Sequence, residues 1–152
     1  MKKLSVVGVL AGMVVAGLLA LSMFLSKDAI AEGPAKSGAP DVTLINGSWI
    51  LASWSDPADL PDADISLNVE TGEEGLRVYG ISACNNYMGP ITVEGASFSA
   101  GLMALTQMLC ADSADAEMTY LELLAKADSW AMDGDCLVLS ADDTEVLRFD
   151  RV

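Results

Sequence analysis

The chain is 152 residues long and 52% hydrophobic, yet it sets 22 acidic side chains against eight basic ones, has no histidine, and carries a net charge of −14. Lys2, Lys3, Lys27 and Asp28 all precede Glu32, so from there onward five basic residues (Lys36, Arg77, Lys126, Arg148, Arg151) face twenty-one carboxylates. A surface of that sign repels phosphate backbones and anionic lipid, which argues against nucleic-acid binding and makes any charged partner cationic, although a dense acidic shell also serves solubility alone.

Residues 1–31 read as a signal peptide or a membrane anchor. Met1-Lys2-Lys3 supplies a positive flank, and Leu4 to Leu25 is a run rich in Leu, Val, Ala and Gly. At about 1.5 Å per residue such a run is long enough to span a bilayer core of about 30 Å. Ala29-Ile30-Ala31 offers a small-x-small cleavage site, so both fates stay open: secretion after cleavage near Ala31, or retention by residues 4–25. The lysines favour a cytoplasmic N-terminus, which places the remainder outside the cytoplasm either way. Membrane contact is then expected through this segment if it is uncleaved. Residues 32–40 (EGPAKSGAP) lack apolar periodicity and read as a flexible linker, and residues 41–152 as one domain.

Within the domain, apolar residues alternate with polar ones at Trp49 and Leu51, Ile65 to Val69, Leu76 and Val78, Ile91 and Val93, Leu137 and Leu139, and Val146 to Phe149. Period two predicts half-buried strands. The short polar links Glu70–Gly75, Glu94–Ala96, Asp133–Gly134 and Ser140–Thr144 predict antiparallel pairing. Helical spacing follows Asp112-Ser113, where Met118, Leu121, Leu124 and Ala125 share a face, acids fill the first turn and Lys126 the last. The expected fold class is α+β: a small antiparallel meander or partly open barrel packed with a single helix.

The lack of histidine removes the commonest general base, nucleophile activator and catalytic metal ligand. Carboxylate-only chemistry remains open in principle, but the acids fall in turns, loops and the helix surface, and the expectation is a protein that is not an enzyme and uses no cofactor. Cys84, Cys110 and Cys136 lack the paired spacing of zinc sites, and Asp59, Asp62, Asp64 or Asp142-Asp143 lack a calcium-loop frame, so no metal is expected. In an oxidising compartment three cysteines leave one over. Cys84 precedes the turn-like stretch Asn85 to Pro90 and Cys110 precedes the helix; a bridge between them would staple sheet to helix entrance, with Cys136 as the free thiol.

These residues also carry a resemblance. Gly80-Ile81-Ser82-Ala83-Cys84-Asn85-Asn86-Tyr87-Met88-Gly89, then Thr106-Gln107-Met108-Leu109-Cys110, then a helical Glu117, resemble the META-domain family, which includes the HslJ heat-shock proteins. Leu44 to Trp49 is similar to that family's opening L-x-G-x-W with one extra residue, and Gly134 to Leu139 with Leu147 to Phe149 to its last hairpin. Ala83 stands where the family has glycine, and Leu109 where it has alanine. The resemblance implies a compact α+β domain in an envelope or secreted protein, and points to Cys84, Asn85, Tyr87, Gly89, Thr106, Met108 and Cys110. Their expected roles are structural: Asn85 bonding backbone in a turn, Tyr87 packing on the sheet, Gly89 permitting an unusual φ, Met108 filling core. Two functions are weighed. One is envelope stress response or maintenance through contacts with other envelope proteins. The other is a periplasmic carrier of an apolar ligand or lipid, with a cavity lined by Leu51, Leu67, Val78, Phe98 and Leu139.

Overall fold

Residue alternation becomes antiparallel sheet in a computed structural model that describes residues 40–57 and 59–152. The segment read as signal or anchor, and the linker apart from Pro40, lie outside the described residues. A 3-10 turn at Val42–Ile45 leads into β1 (Gly47–Trp54), β2 (Ser66–Gly72), β3 (Gly75–Ile81), β4 (Asn86–Glu94), β5 (Ser97–Ala100) and β6 (Ala104–Leu105). After these come α1 (Ala114–Lys126), β7 (Ser129–Asp133), β8 (Cys136–Ala141) and β9 (Thr144–Arg151).

Strands pair in chain order from β1 to β5, β7 pairs β8, β8 pairs β9, and β9 returns to β1. The arrangement is ring-like without being a barrel. Its thinnest join is β5 to β7, with the register pair Ser97–Ser129 and backbone bonds from Phe98 to Asp128 and from Trp130 to Ala96, both 2.9 Å. β6 pairs β4 beside β5, through Tyr87–Leu105 and Met88–Ala104. The β8–β9 turn holds Asp142 and Asp143 at φ 49° and 61°, the left-handed pair that a tight hairpin needs and that aspartate tolerates. Asp128 fixes that turn by accepting the Asp142 N–H at 3.0 Å.

Trp49, Trp130, Tyr87, Tyr120 and Phe149 fill the interior with Leu67, Leu124, Leu137, Leu139, Leu147 and Val78. Each such side chain is worth about 1.5–3 kcal/mol of burial. Trp49 also ties the two ends of the domain together. Its indole N–H donates to the Ile45 carbonyl at 2.9 Å, and the Arg151 guanidinium lies 4.1 Å over its ring while donating to the Leu44 carbonyl. Gly47 sits at φ 142°, a conformation that favours glycine, so the glycine of the opening motif is needed for its backbone freedom.

The helix forms where its spacing predicts, but rolled about its axis. Tyr120, Leu124 and the following Ala127 face the core, Leu121 is half-buried, and Met118 is 56% exposed with Ala125 also outside. Tyr120 wins because its hydroxyl has a partner inside, 2.6 Å from that of Tyr87; a satisfied phenol buries more apolar area than the methionine it displaces. The stretch expected as a turn from Asn85 to Pro90 is corrected too, since β4 begins at Asn86 and the turn ends at Asn85.

Candidate functional site

Ser82 to Asn85 turn the chain from β3 into β4, and the motif residues gather round that turn. The Ser82 N–H donates to the Asn85 carbonyl at 2.9 Å. Glu117, in the first turn of α1, reaches into it. Glu117 Oε2 accepts from the Asn85 N–H at 2.7 Å and the Ser82 hydroxyl at 2.7 Å, and Oε1 accepts from Asn85 Nδ2 at 2.9 Å. The other face of the Asn85 amide holds the chain after β6: Oδ1 accepts from Thr106 Oγ1 and from the Met108 N–H, both at 2.7 Å. Thr106 in turn accepts from the Asn86 N–H at 3.1 Å. The Cys84–Cys110 disulfide closes the cluster, with Cα atoms 6.1 Å apart.

Burial would raise the Glu117 pKa, but the bonds from the Asn85 side chain, the Asn85 backbone and Ser82 outweigh it and hold the carboxyl below its usual range. A carboxylate whose oxygens are taken up by three donors is a staple between helix and turn, with poor access for proton transfer. Below it, Tyr87 donates to the Ser66 carbonyl at 2.9 Å, so Tyr120 donates to Tyr87. Burial pushes both phenols well above their ordinary value, and they stay neutral.

Two expected roles change. Gly89 is absent from the left-handed positions; it matters because a Cβ there would lie 2.5 Å from Met103 Sδ and 2.7 Å from the Leu102 carbonyl. Met108 is 54% exposed rather than core, because its backbone is held by Asn85 and its side chain turns outward. Ser82 and Tyr120 complete the cluster and were not singled out from sequence; their hydroxyls gain meaning only once helix and turn meet.

The left-handed residue here is Ala83, at φ 79°, where the resemblance puts glycine. Ala83→Gly relieves about 1–2 kcal/mol of Cβ strain and gives back part of it through unfolded-state entropy, so a net gain of up to about 1 kcal/mol is expected in urea denaturation. Cys136 stands across from Asp150 in the β8–β9 ladder, with Sγ 3.3 Å from Oδ1. That contact, with some burial, raises the thiol pKa against the opposing influence of Arg148. Alkylation of Cys136 near neutral pH is therefore expected to be slow, and Asp150→Asn to speed it several-fold.

No curated protein matches the chain. Two solved structures are similar. One is the NMR structure of a protein from Burkholderia xenovorans, 27% identical, with 81% of this chain and 99% of that one covered and a TM-score of 0.61. Another NMR structure, 20% identical over 72% of this chain and 92% of that one, has a TM-score of 0.51 and shows the fold alone. The sequence pattern of the META domain matches residues 42–152, the span that carries the Trp49 tie, the Cys84–Asn85 turn, the Thr106–Cys110 segment and Glu117, and the chain belongs to the META domain family.

Proposed function

We propose that this protein works outside the cytoplasm as a non-catalytic META/HslJ-type envelope protein, serving stress resistance or maintenance through protein contacts. The observation that carries this reading is the closure of the molecule on itself. Leu67, Val78 and Leu139 expose nothing and Phe98 only 2%, and half-buried Leu51 packs against the same core, so these side chains fill the interior rather than line an open one, and the motif's polar atoms bond one another. What is left to act is the outer surface. The disulfide supports an oxidising compartment, and the acidic shell supports cationic protein partners. Cross-linking the full chain in its own envelope, followed by native mass spectrometry of the uncrosslinked protein, tests this. A discrete protein adduct and a bare mass are expected; a co-purifying lipid-sized mass without protein adducts would reverse the choice in favour of a carrier.

A further inference from the structure

Between Arg77 and Asp112 the chain contains a single charged residue, Glu94, in a domain otherwise studded with carboxylates. This stretch builds β3 to β6 and leaves large apolar side chains in water: Leu109 is 99% exposed, Leu102 94%, Met88 60% and Tyr79 39%. Register aligns Tyr79, Met88 and Ala104 across β3, β4 and β6 on the outer face. Tyr79 and Met88 also line a groove of about 960 Å³, together with Leu76, Pro90, the Glu70–Arg77 ion pair, and Glu73 and Glu74 of the β2–β3 turn. The Glu73 and Glu74 carboxylates make no hydrogen bond or ion pair among the described residues.

β6 is the terminal strand of the sheet order. Thr106 donates to the Asn86 carbonyl, so by antiparallel alternation the Tyr87–Leu105 pair is the non-bonded one, and the Leu105 N–H and C=O point away from β4. Soluble proteins shield such edges with charge, proline or a covering element. From Gly101 to Cys110 this edge has neither charge nor proline.

We infer that the β6 edge and the adjoining outer face of β3 and β4 form a docking surface for an extended, basic segment of another protein, which adds as a strand beside Leu105. On the outer face its apolar side chains continue the row of Tyr79, Met88 and Ala104 past Leu102, and its Lys or Arg residues meet the negative field that Glu73, Glu74 and the rest of the acidic domain set up. The inference rests on the protein-contact reading above and names the surface and the partner's chemistry. Charge selects the occupant. A second copy brings the same large negative charge, whereas a cationic strand is attracted. A membrane is the poorer fit, because hydrocarbon offers no partner to the Leu105 N–H and C=O, and anionic headgroups repel the domain. A strand supplies both backbone bonds and alternating side chains.

The test uses the full-length protein and a fluorescein-labelled peptide, Ac-KVTVKVTVK-NH2, read by anisotropy and by hydrogen–deuterium exchange. Binding is expected to protect residues 101–110. Leu102→Lys and Leu105→Pro are each expected to weaken it about ten-fold, as is replacing the peptide's lysines by glutamate. Because Leu102 is already in water, Leu102→Lys keeps the test valid even if the proline variant fails to fold. Equal binding by that variant, protection elsewhere, sedimentation as a dimer through this edge, or Leu102-dependent uptake by phosphatidylcholine–phosphatidylglycerol vesicles would each overturn the assignment. If Leu102→Lys keeps the envelope cross-links, protein contacts stand and this surface falls; if the unaltered chain gives none, the protein-contact reading itself falls.

Discussion

Asn85→Ala is expected to lower the unfolding free energy by about 3 kcal/mol or more in urea denaturation. The side chain is buried and serves Glu117, Thr106 and Met108 at once, so its removal strands the Met108 N–H, the Thr106 hydroxyl and one Glu117 oxygen without refilling the space. Asn86→Ala, one residue on and exposed, is expected to cost well under half as much. Asn85→Asp separates charge from shape. It preserves the acceptor for Thr106 and Met108 but sets a second carboxylate oxygen about where Nδ2 now lies, 2.9 Å from Glu117 Oε1, and like charges at that distance cannot both stay ionised cheaply. The pH dependence follows. In the unaltered protein the Glu117 pKa is lowered on folding, so its contribution is full above the ordinary carboxylate value of about 4.3 and is lost as pH falls through the lowered value. In Asn85→Asp, acidification protonates one carboxyl of the pair and removes the repulsion. The two stabilities should therefore converge as pH drops below about 5; a gap that stays constant with pH would mean that packing, not charge, sets the role of Asn85.

The features legible in sequence are those governed by local rules. Period-two runs located most of the strands, since each has one face on the core, and the Gly- and Asp-bearing links marked the hairpins. β7 was not legible: Trp130 and Met132 alternate there, but five residues directly after a helix do not separate from its C-terminal turn. β6 was equally silent, for Ala104 and Leu105 become a strand only through β4. The helix roll shows the same limit from another side. Hydrophobic spacing ranks Met118 above Tyr120, and the ranking reverses only because Tyr87, on a distant strand, supplies a hydroxyl. At the site, the resemblance picked out Cys84, Asn85, Tyr87, Thr106 and Cys110, which do converge. It left open that Asn85 serves the helix and the Thr106–Met108 segment together, a fact of three-dimensional closure that no spacing encodes.

Replacing Cys84 and Cys110 together by serine, or reducing their bridge, is expected to cost about 3–4 kcal/mol, since the bond closes a loop of 26 residues and restricts the unfolded chain accordingly. Cys136 takes no part, and the single-site variant Cys136→Ser should unfold near the parent midpoint. The bridge and Asn85 hold the same piece of chain, Thr106 to Cys110, against the same turn. Their losses should therefore not add: once Asn85 is gone, the bridge is what keeps the segment near, and removing both releases it outright. Exchange of the Met108 amide reads this directly. With the bridge cut and Asn85 intact, that N–H remains bonded to Oδ1 and should exchange only modestly faster. With both removed it should exchange at nearly the rate of an open loop, and the Ala104–Leu105 pairing with β4 should loosen with it, because two residues of ladder are too few to hold a strand unaided. Were β6 to stay protected in the double variant, its position would be set by β4 and by the packing of Met103 over Gly89, and the motif would be a staple for the helix alone.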